Sequence, residues 1–258
     1  MSANQSSPWI LFSNADPKKE LRLFCFPNAG GSDMVFRDWR NHLPENVEVC
    51  PILLPGRGRR LREKPLTKLT EAVHEIVPAM LPYMDKPFAL YGHSMGAAMA
   101  FEVARALRRR HHREPVALFV SGRRAPQVPS DDPLTYSLPE AEFIEELRHL
   151  NGTPKEVLEH QELMRLMIPI LRADFELVET YAYTDELPLD YPLHAFGGLQ
   201  DPKVTSETVQ AWREQTNSTF SARMLAGDHF FIQSNQALFL RLISKDLTNL
   251  IREYSRGE

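Results

Sequence analysis

The chain has 258 residues, 43% of them hydrophobic and 25% charged, with a formal net charge of −4. That balance fits a globular protein and excludes a disordered or fibrous one. A nucleic-acid binder would need a basic excess to offset phosphate, and no apolar run approaches the roughly 18 residues that span a bilayer.

The length suits one large α/β domain over residues 1–258, with two small domains as the competing reading, and composition does not separate two halves. Cys25 and Cys50 each sit inside an apolar run, so both are expected to be core thiols in a reducing compartment. The N-terminal stretch lacks the basic region of an export signal, which makes cytoplasm the expected location.

Strand-like and helix-like segments alternate, the pattern of a mostly parallel sheet flanked by helices. LRLFCF (21–26) reads as the first strand, a helix is expected over Met34 to His42, and VEVCPILL (47–54) reads as the second strand. FALYG (88–92) is a third strand, followed by an alanine-rich helix that ends in the cations RRRHH, near its negative dipole end. PVALFVSG (115–122), PLHAFGG (192–198) and FSARMLAG (220–227) complete the strands, and a helix is expected through Ala237 to Tyr254. Between about 135 and 183 the alternation stops. Pro139 marks a helix start, Asn151-Gly152-Thr153-Pro154 a stop followed by another start, and apolar residues at 163, 166, 167, 170, 171, 177, 178 and 181 have helical spacing, with a kink or break expected at Pro169. A helical insertion at 135–183 is a candidate lid. Two basic segments, GRGRRLREK (56–64) and RRRHHR (108–113), read as solvated loop or helix ends.

The chemistry centres on Gly92-His93-Ser94-Met95-Gly96, which fits G-x-S-x-G between a strand and a helix. A strand turning sharply into a helix strains the serine backbone, and side chains two positions away would strike neighbouring main chain. A serine hydroxyl also needs a histidine base and an orienting carboxylate, in the chain order Ser, Asp, His. Asp201 and His229 each follow a predicted strand and complete that order; Asp228 is a rival acid, but adjacent side chains rarely face each other. His93 is read as a buttress of the serine loop, and the other histidines as surface, packing or strand residues. An oxyanion hole needs two N–H donors: Met95 supplies one, and Ala29, in the glycine-rich loop FPNAGGS, is chosen for the other. Neither a phosphate-binding glycine pattern nor metal-ligand spacing is present, so no cofactor or metal is expected.

FPNAGG (26–31), LPGRGRR (54–60), KPFALYGHSMG (86–96), SGRRAP (121–126), PILRADFELVETY (169–181) and GDHFF (227–231) occur in this order. Together they resemble the type II thioesterases of the α/β-hydrolase superfamily, the stand-alone editing enzymes of polyketide and nonribosomal peptide synthesis. The resemblance implies hydrolysis of acyl thioesters from the phosphopantetheine arm of an acyl or peptidyl carrier protein. It also implies Ser94, Asp201 and His229 as the triad, Met95 and Ala29 as oxyanion donors, and a mobile lid. It departs at Leu199 and Gln200, where the family commonly has an acidic residue or glycine before Asp201, and at Asp228, where it commonly has glycine; a second carboxylate beside His229 is expected to raise its basicity. Arg57, Arg59 and Arg60 are expected to meet an acidic carrier, and a monomer is the default. The alternatives are a medium-chain fatty acyl thioesterase, a carboxylesterase or acyltransferase on the same fold, and a carrier-binding chaperone with a vestigial site.

Overall fold

The computed structural model describes residues 7–11, 18–130, 132–152 and 155–257. Six strands, β1 (Leu21–Phe26), β2 (Val47–Pro51), β3 (Phe88–His93), β4 (Ala117–Ser121), β5 (Leu193–Gly198) and β6 (Phe220–Leu225), form one sheet in the order β2-β1-β3-β4-β5-β6. Every pairing is parallel. β1, β3 and β4 are buried throughout, because their apolar runs must be covered on both faces.

The helices are α1 (Leu69–Met80), α2 (Met95–His111), α3 (Glu140–Leu150), α4 (Lys155–Leu158), α5 (Gln161–Glu179), α6 (Ser206–Gln210), α7 (Phe231–Ser234) and α8 (Gln236–Gly257). Alternation along the strands divides the interior in two. Phe24, Phe26 and Cys50 pack with α1 and α2, whereas Leu23, Cys25 and Tyr91 pack with α8. The two cysteines therefore face different cores; both are free and buried, and burial pushes both thiols well up. Among the described residues no helix is long and apolar enough to cross a membrane.

Helices α3, α4 and α5 lie between β4 and β5 and share a small core of their own, including Phe143, Leu147, Met164 and Ile168. Asn151, in the left-handed region at φ 56°, ends α3; the restart expected at Thr153-Pro154 lies outside the described residues. Pro169 removes one backbone donor, yet α5 runs unbroken through it.

Two other expectations change. The helix expected over Met34 to His42 is a pair of 3-10 turns, Asp33–Phe36 and Trp39–Asn41. Phe36 and Trp39 are both buried, their rings 5.1 Å apart, and 3-10 geometry aligns side chains three residues apart. The second strand stops at Pro51, after which Ile52 forms an antiparallel bridge with Ile10.

Candidate active site

Sheet order places the site. From β1 the chain moves outward to β2, and from β3 it moves the opposite way to β4, β5 and β6, so the exits of adjacent β1 and β3 part to leave a crevice. Phe26 and Gly92 are register partners there, which brings the loop after β1 beside the serine turn.

Ser94 has φ 54° and ψ −113°, a strained conformation for a residue with a side chain, and its N–H donates to the Ser121 carbonyl at 2.8 Å. The flanking glycines explain how the turn closes. A Cβ on Gly92 would overlap the Gly96 carbonyl, and one on Gly96 would overlap the Phe26 carbonyl oxygen. The N-terminus of α2 thus lies directly on the end of β1.

The three residues expected to form a triad converge. His229 Nε2 lies 2.9 Å from Ser94 Oγ, and His229 Nδ1 lies 2.6 Å from Asp201 Oδ2. Asp201 Oδ1 accepts the N–H groups of Lys203 (2.9 Å) and Val204 (3.2 Å), fixing the carboxylate. With Asp201 accepting at Nδ1, Nε2 is left as an acceptor for the serine proton. Gly198 lets the two acid- and histidine-bearing loops touch, since a Cβ there would overlap the Asp228 carbonyl oxygen. Asp228 is engaged elsewhere: Oδ1 accepts the Phe230 N–H at 2.8 Å and Oδ2 accepts Asn151 Nδ2 at 2.9 Å.

Met95 is the first residue of α2, where helical geometry supplies no partner for its N–H and the dipole is positive. Ala29 lines the same cavity as Ser94. Beyond Ala29, the loop is tied to α5. Asp174 Oδ2 accepts the Gly30 N–H and Arg57 Nη1, each at 2.7 Å, while Asp174 Oδ1 accepts Arg57 Nη2 at 2.7 Å. Arg57 Nη1 also donates to the Gly31 carbonyl at 3.1 Å.

This corrects the reading of GRGRRLREK as solvated and carrier-facing at two positions, Arg57 and Arg60, while Gly58, Arg59 and residues 61–64 are exposed as expected. Arg57 is 5% exposed and committed to Asp174. Arg60 is 7% exposed, donates to Glu63 and the Leu53 carbonyl, and lies 4.0 Å over the Trp9 ring. Only Arg59 of the three remains exposed, donating to the Ser7 carbonyl. Asp174 was also missed, although a signal existed: it occupies a position of the apolar stripe on α5, where a carboxylate demands a buried partner.

A cavity of about 560 Å³ opens onto Ser94 and His229, walled by residues 122–130 and 132–134 and by Leu171, Phe175 and Tyr181. Behind the serine, His93 is fully buried and its Nδ1 lies 2.9 Å from Ser121 Oγ, itself 2.8 Å from Tyr91 Oη. Burial, with a smaller contribution from nearby His229, holds the His93 imidazole well below the ordinary histidine range, so it stays neutral and packs. That matches the buttress expected of it.

A parallel sheet with a serine held at a strand-to-helix turn defines an α/β-hydrolase. The thioesterase domain family matches residues 21–247, and the chain belongs to that family. It is 43% identical to the gramicidin S biosynthesis protein GrsT of Aneurinibacillus migulanus over 244 residues, covering 95% of each chain. It is similar to the RedJ thioesterase from the prodiginine pathway of Streptomyces coelicolor, with a TM-score of 0.83 and 39% identity over 88% of this chain and 90% of that one. It is similar also to BorB, the type II thioesterase of the borrelidin cluster, with a TM-score of 0.84 and 35% identity over 92% and 96%. The protein is thus a hydrolase acting on thioesters, of the kind found beside biosynthetic assembly lines.

Proposed function

We propose that this thioesterase clears acyl groups from the phosphopantetheine arm of carrier proteins in a polyketide or nonribosomal peptide synthase, through Ser94, His229 and Asp201. The observation that carries the proposal is the unbroken relay from Asp201 Oδ2 to His229 to Ser94 Oγ, facing a cavity of acyl dimensions. His229 Nε2 takes the hydroxyl proton as Ser94 Oγ attacks the thioester carbonyl, and Ala29 and Met95 N–H groups hold the resulting oxyanion. The histidine proton passes to the departing pantetheine sulfur. Water then gives its proton to the same nitrogen and its oxygen to the acyl carbon, and collapse returns the proton to Ser94. The insertion at 135–183 acts as the lid over the acyl group.

Replacing Ser94 by alanine should lower hydrolysis of a propionylated carrier domain by on the order of 10³-fold or more, with binding of the carrier retained. Mass spectrometry of the wild-type protein caught during turnover should find propionyl on the Ser94 peptide. Undiminished turnover in Ser94→Ala, or faster turnover of oxygen esters than of thioesters by the parent, would defeat the proposal.

A further inference from the structure

The cavity that receives the acyl thioester carries a cation that the triad does not use. Arg123 follows Gly122 at the exit of β4, and its guanidinium lies 5.9 Å from the centre of the Tyr181 ring; both residues line the cavity with Ser94. Among the described residues the Arg123 side chain makes no hydrogen bond and no ion pair. Its backbone carbonyl, by contrast, is held by Trp212 Nε1 at 2.9 Å, which fixes where the side chain begins. The residue is half-buried and lines the cavity wall.

Among the described residues, the carboxylates lining the cavity are engaged elsewhere. Arg123, Arg124 and Lys203 line it against two carboxylates, Asp132 and Glu179. Asp132 is taken by Arg124 Nη2 at 2.5 Å and by Ser130 Oγ at 2.9 Å. Glu179 is taken by the N–H groups of Thr135 (2.8 Å) and Tyr136 (3.0 Å) and by the Thr135 hydroxyl. Burial draws the Arg123 pKa down to about 10, with Tyr181 acting against it and Arg124 with it, so the group remains a cation at neutral pH. A planar, five-donor fork in that condition matches a two-oxygen anion better than any other ligand chemistry.

We infer that Arg123 is an anion-recognition residue of the substrate cavity, pairing with a carboxylate or phosphate carried by the thioester substrate. The inference rests on the thioesterase reading above, in which two parts of the substrate offer that chemistry: the phosphate of the pantetheine arm, or a carboxylate at the far end of the acyl group.

The test compares kcat/KM for propionyl and succinyl groups, each presented on N-acetylcysteamine, which has no phosphate, and on 4′-phosphopantetheine. Wild type, Arg123→Gln and Arg123→Lys are run side by side. If Arg123 holds the arm, wild type favours phosphopantetheine over N-acetylcysteamine for both acyl groups, and Arg123→Gln lowers that ratio tenfold or more. If it holds the acyl carboxylate, the ratio of succinyl to propionyl on N-acetylcysteamine falls tenfold or more instead. Arg123→Lys should recover part of whichever ratio is lost. The inference is overturned if the wild-type protein prefers the charged member of neither pair, an outcome independent of how any variant folds, or if both ratios stay within twofold in Arg123→Gln. Either result with thioesters still hydrolysed leaves the function itself standing. If the parent hydrolyses none of the four, the functional reading fails, and calorimetric binding then decides the role of Arg123: 4′-phosphopantetheine is compared with pantetheine and succinyl- with propionyl-N-acetylcysteamine, equal affinities within both pairs overturning it.

Discussion

Gly92 and Gly96 occupy positions where a methyl group would enter neighbouring main chain, and at Gly96 the obstructing atom is a carbonyl oxygen of β1. Backbone cannot rotate aside as a side chain can, so Gly96→Ala should lose about 1–3 kcal/mol or more in urea unfolding. Its residual folded fraction should also turn over slowly, because Ser94 and the Met95 N–H would be displaced together. A Gly96→Ala protein with parental stability and rate would show that the close approach of α2 to β1 is dispensable. These residues were legible in the sequence because their requirement is local: a strained serine needs small flanking residues within two positions. His229 and Asp201 were legible for a related reason, since strand ends in a parallel sheet share one rim. Arg57 was not. Its neighbours in sequence are solvent-seeking, and the partner that buries it lies 117 positions away.

At the level of elements, α5 joins the insertion to the loop after β1 through Asp174, and its pair with Arg57 is nearly sealed, with side-chain exposures of 6% for Arg57 and 1% for Asp174. Removing one partner leaves the other charge buried, so Arg57→Met should destabilise the fold by about 3–5 kcal/mol. Arg57→Met combined with Asp174→Leu should cost less than Arg57→Met alone. If Ala29 is the oxyanion donor proposed above, kcat in the double variant should fall tenfold or more with KM little changed, because the loop that carries its N–H loses its anchor. A double variant with parental kcat would separate the pair from catalysis. Helical spacing revealed α5 in the sequence. What spacing could not reveal was that Pro169 would be absorbed without a break, or that Phe36 and Trp39 would favour two 3-10 turns, since both outcomes depend on what each segment packs against.

For the whole molecule, a buried histidine and a half-buried one make stability fall in acid. Burial lowers the pKa of His93, and that of His194 as well, where Asp246 offsets it only in part. Both are neutral in the fold and return to about 6.5 when unfolded, so the unfolded chain binds more protons as pH falls below that value. Stability is therefore fully present above pH 6.5 and declines below it, by up to about 1.4 kcal/mol per pH unit for each imidazole until its folded pKa is reached. Labelling of Cys25 and Cys50, inaccessible in the native state, reads out the loss: their unfolding midpoint in urea should drop between pH 7 and pH 5. A midpoint constant over that range would contradict the assignment of neutral rings.

The tether from α5 to the loop after β1 also dictates where this enzyme can be cut and rejoined with a relative. The seam that element boundaries suggest for exchanging the inserted helices lies at the ends of the insertion, near 135 and 183. Such a graft would import a foreign Asp174 position and oblige the recipient's Arg57 to find it. A seam placed before Leu171 keeps donor and recipient charges matched, so hybrids joined there should retain the host's catalytic rate, while the guest alters the cavity only at Leu147, Leu150 and Gly152.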